Sequence, residues 1–375
     1  MTKELEIQGK RKTKMRIKTT VINSLGEYID YISEIAQREE KKLVQPKVLW
    51  FRGQPDVEHM LVPTIFRENV RVGVDAGNYS SLHYAEDIRT QHYIAKNYHF
   101  LAKEPSSRVE WLEVMQHHEM KTRVLDWSES SIHSLLFALE PFLDDRRYKE
   151  QQRKSCIPCV WVLEPGAMNK EIIDYLKQQE LEPGGLVRRL LKELTENDTE
   201  REEIIKIVKK MGDPKYHETD GTSHIDYIFN LSVINDEILR DRSRLLYLLK
   251  NGDGINPFYY ILSRIYSDGY ILDKRTLPPL AVVHPYHSER IKAQKGVFTV
   301  YPFYREQKSE PLRQFDMNPD AMDNNVIAQK YLHKIVINNA QKVAGQMLAN
   351  GMNDSWLYPE MPIVSSEIEN RKVYN

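Results

Sequence analysis

Apolar runs of strand length stand towards both ends of this 375-residue chain and are scarce in the long stretch between them. Val48-Leu49-Trp50-Phe51 follows Pro46, and Val160-Trp161-Val162-Leu163 follows the run Cys156-Ile-Pro-Cys159. Leu280–His284, Val297–Tyr301 and Tyr331–Ile337 come late. From about 168 to 270 the residues are highly charged and read as helix, broken at Pro183-Gly184-Gly185 and at Gly212-Asp213-Pro214. Strands this short need partners, so the early and late runs are expected to share a sheet. The fold class expected is α+β, a small mixed sheet core built from N- and C-terminal strands with a large helical insertion. The parts expected are a basic flexible arm at 1–20, a first part of the core at 21–165, the insertion at 166–275, and the closing strands with a final helix at 276–375.

Helical periodicity fills the rest of the core. Ser24-x-x-Glu27 has capping-box spacing, and Leu25, Tyr28, Ile29, Ile32 and Ile35 follow it on one stripe up to the charged run Arg38–Lys42. Residues 79–103 and 108–121 read as helices. So does the segment carrying Ile132, Leu135, Leu136 and Leu139, which Pro141 stops. A last helix at about 339–350 ends at Gly351, a C-cap residue.

Composition excludes several functions. With 41% hydrophobic and 29% charged residues the chain is neither disordered nor collagenous, and no apolar run approaches the ~20 residues of a membrane span. The N-terminus is basic but has no apolar stretch behind it, so no secretory signal is expected. Lys+Arg at 53 against Asp+Glu at 54 gives a net charge of −1, which does not favour a nucleic-acid partner. Two cysteines fit a reducing, cytoplasmic setting. Cys156 and Cys159 have the spacing of half a zinc site, with His284-Pro-Tyr-His287 as the other half to seek. They run straight into an apolar strand, which favours two small residues ahead of it. No metal is expected.

Dinucleotide, P-loop, nucleophile-elbow and zinc-protease fingerprints are absent. A metal nuclease would need clustered carboxylates, and the acids of 193–203 lie on a solvated helix face. Polar residues instead cluster where strands end or helices start. Trp50-Phe51-Arg52-Gly53-Gln54 puts a planar, five-donor guanidinium at a strand edge, next to a glycine that lets a ligand approach the backbone. That suits a phosphate or a carboxylate, and an Arg paired to an internal acid is the other reading. Gln116-His117-His118 and Thr122-Arg123-Val124-Leu125-Asp126-Trp127-Ser128 form the densest cluster. It reads either as a lined pocket or as a buried polar network in which Asp126 caps the next helix and pairs with Arg123. Arg52 with Arg123 is the expected anion site. In Ser288–Phe298, Arg290 and Gln294 share a helical face.

These stretches resemble the FRG domain, named for its Phe-Arg-Gly motif. The matching residues are Trp50–Gln54, Leu61-Val62-Pro63-Thr64 with Arg67, Gln116–His118, Thr122–Ser128 and Leu135–Ala138. Arg290-Ile291, Gln294, Gly296 and Phe298 look like its closing motif. Met120 stands where the family usually has Gly, and Ser131 where Pro is common. The resemblance implies a cytoplasmic bacterial or phage-linked protein of defence-associated gene neighbourhoods, as a toxin or antiviral effector. A second likeness, to mono-ADP-ribosyltransferases, implies NAD as cofactor. Arg52 would then hold the NAD phosphates or ribose, with Gln54 and Arg123 beside it. Thr122, Asp126 and Ser128 would line the nicotinamide side with Trp127 stacking, and His117 or His118 would bond a ribose hydroxyl. Gln294 occupies the catalytic-acid position, where a glutamine can orient a hydroxyl but not stabilise an oxocarbenium ion; Glu289 lies close by. The catalytic set is thus Arg52, His117 and Gln294. The partner is a nucleotide-type small molecule, with a protein target for transfer chemistry. A non-enzymatic module binding a nucleotide, protein or nucleic acid is the alternative.

Overall fold

The computed structural model describes residues 17–37, 47–67, 81–97, 99, 104–143, 156–210, 231, 241–251, 257–273, 276–286, 288–304 and 321–358. Residues 1–16 of the expected arm, the run Arg38–Lys42, the break at Gly212-Asp213-Pro214 and His287 lie outside them.

Nine strands are described: β1 (Lys18–Ile22), β2 (Trp50–Gln54), β3 (Val124–Ser128), β4 (Cys159–Leu163), β5 (Ile271–Leu272), β6 (Leu280–Val282), β7 (Gly296–Val300), β8 (Phe303–Tyr304) and β9 (Leu332–Ile337). Seven of them form one mixed sheet in the order β1-β9-β4-β2-β3-β7-β6, and β5 pairs with β8 separately. β1 runs parallel to β9, and the other neighbours in the large sheet are antiparallel. The α+β expectation holds, with early and late strands interleaved: β9 lies between β1 and β4, and β7 follows β3.

Most of the helices pack on one face of the sheet, while Leu82 of the second and Met168 of the fifth reach the cluster on the other. α1 (Leu25–Ala36) starts at Ser24, whose side chain accepts the Glu27 N–H, while the Glu27 carboxylate accepts Asn23 N–H. α2 is Ser81–Asn97, α3 Arg108–His117 and α4 Ser131–Leu139. The charged middle supplies α5 (Pro165–Gln179), α6 (Leu186–Leu194), α7 (Asp198–Lys210), α8 (Arg242–Asn251) and α9 (Pro257–Leu262), which runs into a π-helical turn at Ser263–Ser267. α10 (Glu289–Ala293), α11 (Ala340–Ala349) and α12 (Asp354–Leu357) complete the set. Phe51, Val160, Val162 and Ile335 pack with α1, α4 and α11 in one cluster. Val124, Leu280, Val282, Phe298 and Val300 pack with α3 and the middle helices in another. The helical middle therefore shares a core with the sheet. The opposite face, with Trp50, Trp161, Leu125, Trp127 and Val297, is covered chiefly by Leu61–Phe66 and by residues of 321–332.

Several boundaries differ from expectation for local reasons. Lys18–Thr20, read as part of the arm, lie in β1, held by β9 from Lys18↔His333 to Ile22↔Ile337. Arg52-Gly53 does not end its strand, because β4 pairs all five residues from Trp50 to Gln54. Leu125–Ser128 is a strand, paired along its length with β7. α3 stops at His117 because Glu119 takes a left-handed φ of 62° and Met120 N–H bonds back to Met115 O. The position needing glycine-like freedom is thus Glu119 rather than Met120. Ser131 is the first residue of α4, after the capping Ser130, where proline is tolerated. Cys159 is buried in β4 and half-buried Cys156 precedes it, and neither is in a disulfide. No group of His, Cys, Asp and Glu that could hold a metal is found among the described residues.

Candidate functional site

The central pair of strands is barely joined. β2 and β3 share one register pair, Phe51↔Ser128, while β2 follows β4 and β3 follows β7 for five residues each. Beyond Phe51 the sheet forks, and the backbone of β3 facing β2 must find other partners. Arg52 fills the seam: its Nη1 donates to Asp126 O at 2.6 Å and lies 3.9 Å from Asp126 Oδ2. Further into the fork a short turn of 3₁₀ helix, Thr64–Arg67, is stitched to the chain just ahead of β3. Ile65 N donates to Thr122 O and Thr122 N to Thr64 Oγ1, both at 3.3 Å.

Gly53 has a different role from the one expected. A Cβ there would lie 1.9 Å from Ser134 O and 2.6 Å from Ala138 N. The bare backbone is covered by α4, so it accommodates a helix and is closed to a ligand. The Phe-Arg-Gly run thus sends Phe51 into the α1/α4 core, Arg52 into the fork and Gly53 under α4.

A chain of hydrogen bonds fixes the fork. Thr122 Oγ1 donates to Gln116 Oε1 at 2.8 Å, and Gln116 Nε2 donates to Asp126 Oδ2 at 3.0 Å. Gln116 comes from the last turn of α3, so one amide ties helix, loop and strand together. The Asp126 side chain remains 49% exposed. Burial lowers the Arg52 pKa, opposed by Asp126 and Tyr301, and a guanidinium stays charged regardless. Its Nε is buried without a hydrogen-bond partner.

The remaining candidates divide. Gln54 Oε1 accepts from Trp161 Nε1 at 2.8 Å in the core. Trp127 is buried with Nε1 donating to Thr299 Oγ1, so its ring offers no stacking surface. Ser128 donates to Gln294 O and accepts from Ser130 N. Arg123 is fully buried and pairs with Glu86, not Asp126: Nε meets Glu86 Oε2 at 2.8 Å, Nη1 meets Tyr301 O at 2.7 Å and Nη2 meets Ser267 O at 2.8 Å. It is a structural hub rather than half of an anion site. His117 is half-buried with its ring against exposed His118, which also contacts Tyr93. Gln294 donates to Leu357 O at 2.7 Å and the Arg290 guanidinium lies 4.7 Å from the Tyr358 ring centre, so this motif clamps the segment at 354–358. Glu289 is exposed beside Lys292. Arg52, Thr122 and Asp126 converge; Gln54, Arg123, Trp127, Ser128 and Gln294 are engaged elsewhere.

Sequence reasoning assigned no role to three groups. Gln116 was visible in its motif but overshadowed by the histidines after it. Glu86, fully buried on α2, also accepts the Arg123 backbone N–H at 3.1 Å. Its signal is an acid between the apolar positions Leu82 and Ile88. Glu113 of α3 lies 2.5 Å from His284 Nδ1, with both side chains buried. Burial alone would lower the His284 pKa, but the Glu113 carboxylate raises it overall, and His284 Nε2 has no hydrogen-bond partner. Val282, two residues earlier, pairs with Phe298, which pairs with Asp126, so this ion pair stands on the Asp126 face of the sheet.

Among comparisons with known proteins, residues 47–147 match the FRG domain. No curated protein and no solved structure shows a match to the chain.

Proposed function

We infer, for a chain that carries an FRG domain in residues 47–147, that its function is recognition of a nucleotide-type small molecule at the fork between β2 and β3. One observation carries this reading: Arg52 fills an open seam between the two central strands and keeps a buried Nε without an acceptor. A guanidinium suits phosphate oxygens, and the half-exposed Asp126 carboxylate suits a ribose hydroxyl. Gln116 and Thr122 hold that carboxylate in place, the preorganisation a binding site needs. Titration calorimetry of the whole protein with ADP and with NAD tests the reading. Binding that Arg52→Gln weakens at least tenfold, with an unchanged circular-dichroism melt, is the expected result. Unaltered binding in that variant refutes it, as does failure of every nucleotide to bind.

A second reading, NAD-dependent transfer of ADP-ribosyltransferase type, is favoured by the Glu113–His284 pair. It supplies a buried acid–base group on the Asp126 face. Gln294, bound to Leu357 O, supplies none. Labelled NAD decides this: neither nicotinamide release nor a labelled protein removes the enzyme reading and leaves the recognition module. A cytoplasmic toxin or phage-defence role rests on the FRG resemblance, and a growth or plaque assay comparing wild type with Arg52→Gln tests it. The described helices include none long and apolar enough to cross a membrane.

A further inference from the structure

Trp50 and Arg52 are alternate residues of β2 and so address the same face of the sheet. Each keeps a buried donor without an acceptor, Trp50 Nε1 and Arg52 Nε. A buried donor left unmet costs roughly 1–3 kcal/mol. Trp50 is fully enclosed in the core, whereas Arg52, 22% exposed at the fork, can take an acceptor from outside the fold. The 3₁₀ turn at Thr64–Arg67 brings a second guanidinium to the fork. Arg67 grips Val62 O through Nε at 3.0 Å and Nη2 at 2.7 Å, which fixes the plane of the group. The turn itself is pinned to Thr122, four residues before the Asp126 carbonyl that holds Arg52. Burial and then the charge of Arg52 lower the Arg67 pKa, and Tyr301 neighbours both cations. One carboxylate, Asp126, faces Arg52 at 3.9 Å and is half exposed.

Two guanidiniums on one side of a seam, one of them with an unmet Nε donor, suit a group with two linked negative charges better than a single phosphate. We propose that the fork binds a diphosphate, carried by a nucleoside diphosphate or a dinucleotide, with Arg52 on one phosphoryl group and Arg67 on the other. This rests on the reading of the fork as a nucleotide site and names the part of the ligand that it grips.

The test is titration calorimetry of the whole protein with four probes: inorganic phosphate, pyrophosphate, AMP and ADP. The diphosphate reading expects pyrophosphate and ADP to bind at least about tenfold tighter than phosphate and AMP. Arg67→Gln, compared with wild type at an unchanged circular-dichroism melt because the residue also holds Val62 O, removes that preference, while Arg52→Gln weakens all four. Arg67→Lys, which keeps the charge and loses the two-point grip, retains only part of the preference. AMP binding as tightly as ADP, with Arg67→Gln changing neither, overturns the diphosphate and leaves the nucleotide site standing. ADP binding with no binding of pyrophosphate overturns it too, since the nucleoside then supplies the recognition. Wild-type affinity of Arg52→Gln for every probe removes both the site and this inference.

Discussion

Replacing Gly53 by alanine separates two explanations for the glycine beside Arg52. The added Cβ would stand 1.9 Å from Ser134 O, and a tolerable contact needs about 3.2 Å. α4 would therefore have to move by about 1.3 Å over Gly53. It has little room to do so, because Leu135, Leu136, Ala138 and Leu139 are fully buried in the core shared with Val160 and Val162. Overpacking that side chains can absorb costs typically ~1–3 kcal/mol, and here the obstacle is backbone, so a loss of about 3 kcal/mol or more is expected. With roughly 2.1 cal/mol/K of unfolding entropy per residue, that lowers Tm by about 4 °C in 375 residues. Urea unfolding followed by circular dichroism and tryptophan fluorescence measures it, as a fall in the midpoint at constant slope. A variant within ~0.5 kcal/mol of wild type that has lost nucleotide binding would refute the argument, since Gly53 would then serve the ligand rather than α4.

Further expectations concern the groups around the fork. Glu86→Gln leaves the Arg123 guanidinium buried without its counter-charge and should cost ~3–5 kcal/mol by urea denaturation; a loss below 1 kcal/mol speaks against the hub. Glu119→Gly relieves an L-residue at φ 62° and should stabilise by ~0.5–1 kcal/mol in the same assay, whereas destabilisation contradicts the turn geometry. His284 is raised above the ordinary imidazole value, so its ion pair stabilises fully below about pH 6.5 and is lost as pH rises through the folded-state value. Wild type should lose stability over that rise, and His284→Gln should remove that part of the pH dependence; an identical profile in both disproves the pairing. Gln294→Ala removes the bond to Leu357 O and should speed proteolysis near 354–358 with ADP affinity unchanged, and lost affinity would return Gln294 to the site.

What could be read from residue order alone follows from how local the causes are. β4 and β7 were legible because both faces of these strands are buried, which writes them as apolar runs. β3 was hidden because Asp126 interrupts its apolar residues and is engaged by Gln116 and Arg52. β1 was hidden because it is an edge strand with exposed Lys18, Thr19 and Val21, a composition also found in solvated arms. At the site, Arg52 and Asp126 were legible as ionic groups beside strand-like apolar residues. The duties of Gln54, Arg123 and Trp127 were not, because Gln54 and Trp127 find partners 107 and 172 residues away and those of Arg123 are spread from 37 to 178 residues away. A hydrogen bond over such separations leaves no periodic trace in the sequence.

The single register pair between β2 and β3 also bears on how the polypeptide comes to be folded. Residues 47–147 contain both strands but neither of the ladders that hold them, since β2 leans on 159–163 and β3 on 296–300. Arg123 likewise waits for the carbonyls of Ser267 and Tyr301. During synthesis the ribosome must release more than half of the chain after the FRG segment before that segment can close its own sheet. An excised 47–147 fragment would expose two unpaired strand edges and a guanidinium short of two acceptors, and should associate with itself rather than fold. Its loop-closure entropy makes refolding slow relative to a domain of local contacts. The Phe-Arg-Gly motif is therefore finished only after residues 296–301 have been made, although it is among the first parts of the chain to leave the ribosome.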